Sequence, residues 1–93
     1  MAKARDIPSI EQGLHEAFKI LKDTGVEEAI KNFTGKQKSA SFYRSCSDPD
    51  EIHKIDHADS LAIDYECLKT KGIAPLLSAH EALVTKFLLN QNK

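Results

Sequence analysis

Apolar residues recur at helical spacing along most of this chain, and this periodicity constrains the fold more than any other feature. In the first segment, five apolar side chains are spaced so that they share one face of an α-helix: Ile10, Leu14, Ala17, Phe18 and Leu21. No segment has the strict alternation of polar and apolar residues that is typical of a half-buried β-strand. The pattern therefore predicts an all-α fold, a compact bundle of about five short helices.

Capping residues divide the first half of the sequence into three of these helices. Ser9 is a favourable N-cap, and Gly25 can adopt the left-handed conformation that ends a helix. A second helix then reaches the turn at Thr34-Gly35, and a third covers approximately residues 37–46. We expect the ring of Phe42 to anchor the inner face of this third helix.

Two longer helices are predicted in the second half. Asp56 is placed to cap the fourth helix and Gly72 to end it, and Pro75 suits the first turn of the fifth. Residues 1–8 have the composition of a polar tail. Residues 9–90 then form a single helical domain, which the length of 93 residues favours. The apolar sides consist of Leu61, Ala62, Tyr65 and Leu68 in the fourth helix and of Leu76, Leu77, Leu83, Val84, Phe87 and Leu88 in the fifth.

Charge is distributed unevenly, although 13 lysines and arginines nearly balance 14 acids and the net charge is −1. Residues 31–44 contain four cations and no acid, whereas residues 48–66 contain seven acids and a single lysine. This segregation predicts a basic face and an acidic face.

The acid-free segment coincides with a candidate helix-turn-helix at residues 25–46, in which two short helices are joined by a glycine-containing turn. In such a motif, one helix presents side chains to base edges and phosphates while its other face packs inside. Lysine and arginine pair with guanine or phosphate, glutamine pairs with adenine, and serine can approach a phosphate closely. The predicted DNA-binding residues are Lys36, Gln37, Lys38, Ser39, Ser41, Tyr43 and Arg44. A helical hairpin whose exposed lysines serve only solubility is the alternative interpretation.

Three segments of the sequence resemble small helix-turn-helix proteins of the phage-regulatory kind: GVEEAIKNFTGKQKSASFYRSCSDPD, DSLAIDYEC and PLLSAHEAL. The resemblance covers residues 25–83. It implies a bacterial or phage-derived transcriptional regulator that binds double-stranded DNA through residues 36–44. The chain departs from that pattern at Lys31, where a small residue usually lets the two helices cross closely, and in a Gly35-to-Phe42 spacing that is one residue longer than expected.

Neither a metal site nor a catalytic site is predicted. His53, Asp56 and His57 have a spacing at which a helix can share a metal ion, but Asp56 is better explained as a helix cap and His53 precedes the helix. Cys46 and Cys67 do not form a Cys-x-x-Cys pair, and no glycine-rich phosphate loop is present. We therefore expect no metal, no cofactor and no enzymatic activity, with both cysteines as reduced thiols.

The remaining expectations concern location and partners. No apolar run is long enough to span a membrane, and the N-terminus lacks the apolar core of a secretory signal, so we expect a cytoplasmic protein without a membrane partner. Leu88 and Leu89 add apolar surface near the end of the fifth helix. A homodimer would bury this surface and pair two recognition helices. The alternative function is a helical protein–protein interaction or dimerisation module with no nucleic-acid activity.

Overall fold

The computed structural model describes residues 5–91, which form four α-helices and no β-strand. The helices are α1 (Ile10–Thr34), α2 (Ala40–Ser45), α3 (His57–Lys71) and α4 (Pro75–Gln91). The predicted all-α fold is confirmed, with α1 containing the first two of the five predicted helices. The predicted caps also form: Ser9 and Asp56 accept backbone N–H groups at the starts of α1 and α3, and Gly72 ends α3 with a φ of 75°.

The break in α1 lies at Lys22 and not at Gly25, where the sequence predicted the end of a helix. The backbone of Lys22 has φ 65° and ψ 177°, which is outside the helical region. Gly25 stays within the second part of α1, and a β-carbon there would lie 2.9 Å from the β-carbon of Leu21. Gly25 therefore permits a close approach after the bend instead of forming the bend itself.

Replacing Lys22 by glycine is expected to raise the free energy of unfolding by about 1 kcal/mol, because the backbone region that Lys22 occupies is essentially restricted to glycine. Lys19→Gly is the matched control in the same helix, and it should lower stability by about 1 kcal/mol because glycine disfavours a helix interior. Urea denaturation of both variants measures the two changes. A loss of stability in both would show that Lys22 is not strained.

The core lies between α1 and the other three helices, all of which pack against α1. Both cysteines belong to this core as free thiols. Burial raises the pKa of the Cys67 thiol to about 11, which keeps it protonated and unreactive at neutral pH. The buried core residues are Leu14, Ala17, Phe18, Val26, Ile30, Ala40, Tyr43, Cys46, Ala62, Ile63, Cys67 and Leu76.

Two contacts fix the first turn of α4. A β-carbon on Gly13 of α1 would lie 2.9 Å from the carbonyl oxygen of Pro75 and 3.2 Å from Cβ of Ala79, so the two helices meet where α1 has no side chain. From the other side, the carboxylate of Asp64 in α3 accepts the backbone N–H groups of Leu76 at 3.0 Å and Leu77 at 2.8 Å. Asp64 thus caps α4 from a neighbouring helix.

No single helix within residues 5–91 is both long and apolar enough to cross a membrane. Among the described helices, only α3 and α4 taken together have the length and apolar composition of a membrane span, and this pair of helices is bent by 115° at its break.

Candidate functional site

The segment predicted to bind DNA folds differently from the prediction. α2 is six residues long and begins at Ala40, so residues 36–38 precede it in a non-helical connector. The cause is local: Ser39 has an extended backbone and its hydroxyl accepts the N–H of Phe42, while the Glu27 carboxylate accepts the N–H of Ala40. These two side chains set the start of α2 three positions after the predicted one.

Lys36 is paired with acids from the next helix. Its ammonium group lies 2.5 Å from a carboxylate oxygen of Asp56 and 3.2 Å from one of Asp59. The hydrogen bond to Asp56 raises the pKa of Lys36, and the same bond lowers the pKa of Asp56. Burial raises the pKa of Asp59 in spite of the nearby lysine, because only 4% of this residue is exposed. Two acids of the acidic block thus fold against the basic segment and compensate the charge of Lys36.

Arg44 is also paired. Its guanidinium group lies 2.6 Å from a carboxylate oxygen of Asp23, just after the break in α1, and 4.5 Å from the centre of the Phe18 ring. About half of the arginine side chain remains exposed. Any contact of Arg44 with a phosphate would therefore have to replace or share the bond to Asp23.

The two aromatic residues of α2 are both on its packed side, and Tyr43 is the more deeply buried of the two. Tyr43 is only 1% exposed and lies in the core, whereas Phe42 is half-buried at the edge. Ala40 and Tyr43 lie three positions apart and form the buried side of α2. The prediction of Tyr43 as a DNA contact is corrected, because its side chain offers no surface to a ligand.

The other predicted DNA-binding residues remain accessible. Gln37, Lys38 and Ser41 are exposed, and the ammonium group of Lys38 lies 4.8 Å from the centre of the Phe42 ring. Ser39 is exposed as well, but its hydroxyl already serves as the cap of α2. Lys31 points into solvent and does not obstruct the packing of α1 on α2. The part of the basic segment that is free of acids is therefore small.

A larger feature is formed by α3 and α4, which expose apolar side chains. We define the apolar face as Phe33, Leu61, Tyr65, Leu68, Leu77, Val84, Phe87 and Leu88, each between 47% and 61% exposed. A groove of about 420 Å³ runs between α3 and α4 within this face, with Leu61, Tyr65, Leu68, Leu77 and His80 among its lining residues. Its one acid, Asp64, is engaged in capping α4.

The α3 part of the apolar face arises because this helix has two apolar sides. Ala62, Ile63 and Cys67 are fully buried against the core, and the predicted apolar side, apart from Ala62, points outward. Phe33 of α1 packs edge-to-face on Tyr65, with ring centres 5.0 Å apart, and extends the surface across a third helix. The apolar stripe at helical spacing was visible in the sequence. The sequence did not indicate on which side of the helix the core would form.

No cluster of three or more histidine, cysteine or acidic side chains in the described part of the chain is arranged to hold a metal ion. His53 and His57 are both exposed, and Asp56 acts as the N-cap of α3.

No protein-family model matches the chain, and no curated protein or solved structure matches it significantly. A function therefore has to be inferred from the surface of the chain itself.

Proposed function

We propose that this protein is a helical protein–protein interaction module that binds its partner through the apolar face. The observation that carries the proposal is the exposure of eight large apolar side chains on three helices, five of them on or beside the groove between α3 and α4. The groove joins the α3 stripe to Leu77 at the start of α4, and Val84 and Leu88 continue the same side of α4 at helical spacing.

The size of the apolar face supports this proposal. Its exposed side-chain area is roughly 600 Å², taking about 100 Å² for an aliphatic side chain and about 200 Å² for an aromatic one. Monomeric proteins seldom expose larger apolar patches, and each partner in a standard protein–protein interface contributes about 800 Å². Leaving this area in water has a free-energy cost that a partner would remove.

The chemistry of the apolar face is also that of an interface centre. Three of its eight residues are aromatic, and aromatic side chains dominate the binding energy of most interfaces. Its charged neighbours lie at the edge, where the Lys69 ammonium group sits 4.9 Å from the centre of the Tyr65 ring. An apolar centre with charges at the rim is the usual arrangement of a protein-binding surface.

Site-specific photo-crosslinking in the cells that naturally make the protein tests this proposal. A photoreactive phenylalanine analogue at Leu68 or at Leu88, both on the apolar face, is expected to yield a discrete covalent adduct with a protein. The same analogue at Leu89 or at Lys31, which are exposed elsewhere, serves as the control. Absence of an adduct from the first two positions, or equal adducts from all four, would contradict the proposal.

DNA binding remains a second candidate, supported by the exposure of Gln37, Lys38 and Ser41. Among the described residues, no acid forms an ion pair with Lys31 or Lys38. In this hypothesis these two lysines attract the phosphates, and Gln37 and Ser41 make the closer contacts. Lys36 and Arg44 contact phosphate only while they remain paired with their acids, which are Asp56 and Asp59 for Lys36 and Asp23 for Arg44.

Titration with random-sequence duplex DNA at increasing salt tests the second candidate. If four cations contact phosphates, affinity should fall about 100-fold between roughly 50 and 200 mM salt. The double variant Lys31→Glu, Lys38→Glu should abolish binding, whereas Lys69→Glu, Lys71→Glu on α3 should preserve most of it. Undetectable binding at the lowest salt would contradict a DNA-binding function.

A further inference from the structure

The second half of α4 has no core against which to pack. Leu76 and Ala79 are buried and Leu83 is half-buried, whereas every residue from 84 to 91 is exposed. This second half nevertheless carries four large apolar side chains: Val84, Phe87, Leu88 and Leu89. Pro8 lies beside Thr85, Lys86 and Leu89, but none of the residues from 84 to 91 is buried.

The exposed side of α4 has the spacing of a helix that packs along another helix. Its residues follow one another at intervals of three and four positions, as in a heptad repeat: Leu77, His80, Val84, Phe87 and Gln91. We call these five residues the α4 seam. It contains no acid, lysine or arginine. Leu88 borders the seam, whereas Leu89 is rotated a further 100° or so around the helix and faces away from it.

The groove and the end of α4 complement each other. The groove beside the first half of α4 is open and mostly apolar, and the second half of the same helix is a projecting apolar segment. In an antiparallel pairing of two α4 helices centred on Val84, the partner's Leu88 reaches the level of His80 and the partner's Gln91 reaches that of Leu77. They would then lie over the groove, and the reverse contact would form at the same time.

We infer that the partner of the apolar face is a second copy of this chain, and that two α4 helices pack antiparallel about a two-fold axis near Val84. The inference rests on the proposed function and names its partner. Such a contact is isologous, because each copy supplies the same groove and the same helix end. The antiparallel orientation also places the opposite ends of the two helix dipoles beside each other.

Area and charge both fit this partner. Two apolar faces together offer about 1,200 Å², the lower end of the range for stable and specific interfaces. Each copy carries a net charge of −1, so the electrostatic repulsion between copies is small.

Sedimentation equilibrium of the purified full chain over a range of concentrations tests the inference. The wild type should approach twice the monomer mass of 10.3 kDa as concentration rises. Leu88→Glu should weaken the dimer at least about tenfold, because it places a charge beside the seam. Leu89→Glu is the matched control, since Leu88 and Leu89 are 59% and 61% exposed and neither supports the core. Circular dichroism verifies that both variants remain helical.

Cysteine crosslinking tests the orientation. Positions 80 and 88 lie at equal distances from Val84, so they face each other across an antiparallel pair. The double variant His80→Cys, Leu88→Cys should form covalent dimers on mild oxidation, and each single variant should not. The native cysteines are at most 2% exposed and do not compete. Efficient dimers of the single variants would indicate parallel helices and overturn the proposed arrangement.

Failure of this inference can be distinguished from failure of the proposed function. A wild type that stays monomeric up to about 1 mM excludes a second copy as the partner, and so does a dimer disrupted by Leu89→Glu but not by Leu88→Glu. In either case, an adduct of Leu68 and Leu88 with a different protein in cells would leave the interaction module intact. Binding of the monomeric chain to anionic lipid vesicles, abolished by Leu88→Glu, would instead identify a membrane surface as the partner and overturn the inference.

Discussion

Replacing Gly13 by valine is expected to lower the free energy of unfolding by about 2–3 kcal/mol, which is a large part of the stability of a domain this small. The added side chain would start 2.9 Å from the carbonyl oxygen of Pro75, so α4 would have to move away from α1. The better helix propensity of valine offsets only about 0.5 kcal/mol of this loss. Thermal unfolding should show a melting temperature lower by about 10 °C or more.

The control for this substitution is Lys19→Val on the exposed side of the same helix. It introduces the same side chain without a steric conflict and should change stability by about 0.5 kcal/mol or less. Similar melting temperatures for Gly13→Val and the wild type would contradict the close crossing of α1 and α4. Because this crossing positions α4, Gly13→Val should also weaken any association through the apolar face.

Replacing Asp64 by alanine is expected to lower the free energy of unfolding by about 2 kcal/mol, because the N–H groups of Leu76 and Leu77 lose their acceptor. Burial raises the pKa of Asp64, which means that keeping this carboxyl group ionised costs free energy. The substitution removes this cost. The net loss is therefore smaller than two buried hydrogen bonds alone would give. Chemical denaturation at pH 7 measures the change.

Two further substitutions separate capping from general effects on α3. Asp64→Asn keeps one of the two acceptor oxygens and should have about half the effect of alanine. Glu66→Ala removes a carboxylate of the same helix whose ammonium partner, Lys69, is 3.4 Å away, and it should change stability by about 0.5 kcal/mol or less. Equal losses for Asp64→Ala and Glu66→Ala would show that Asp64 does not cap α4.

Local chemistry made most of the helix boundaries predictable. Ser9 and Asp56 begin helices, and Gly35 and Gly72 end them, because a side-chain acceptor or a left-handed backbone acts within one turn of its own position. The break in α1 was not predictable in this way, since it occupies a lysine in a conformation that lysine rarely adopts. Packing of the two parts of α1 on the rest of the core determines that position.

The ion pairs of the basic segment could not be predicted from the sequence, because its cations pair with acids that are distant along the chain. Lys36 meets acids 20 and 23 positions further along the chain, and Arg44 meets an acid 21 positions before it. Spacing in the sequence does not reveal such pairs. The later start of α2 has a similar cause, because Glu27 of α1 accepts the N–H of Ala40. The resemblance to helix-turn-helix proteins rested on the cations and the turn. It gave no indication of the acids that pair with Lys36 and Arg44.

For the apolar face, the sequence pattern was visible but did not indicate which side of each helix would be buried. The stripes of α3 and α4 were visible, but a second row of small and medium residues, Ala62, Ile63 and Cys67, faces the core of α3 instead. In α4, the core ends near Leu83 while the apolar pattern continues. Which of two stripes is buried depends on the shape of neighbouring helices, and this shape is not encoded within either stripe.

The most direct test of the central claim, that the apolar face binds a second copy of the chain, is a dilution series of ¹⁵N-labelled protein followed by NMR. Pairing of two apolar faces predicts concentration-dependent changes in the backbone amide signals of Leu61, Tyr65 and Leu68 and of residues 77–91. The signals of residues 36–44, none of which belongs to the apolar face, should stay constant. A series without changes, or changes confined to residues 36–44, would show that the apolar face does not bind a second copy.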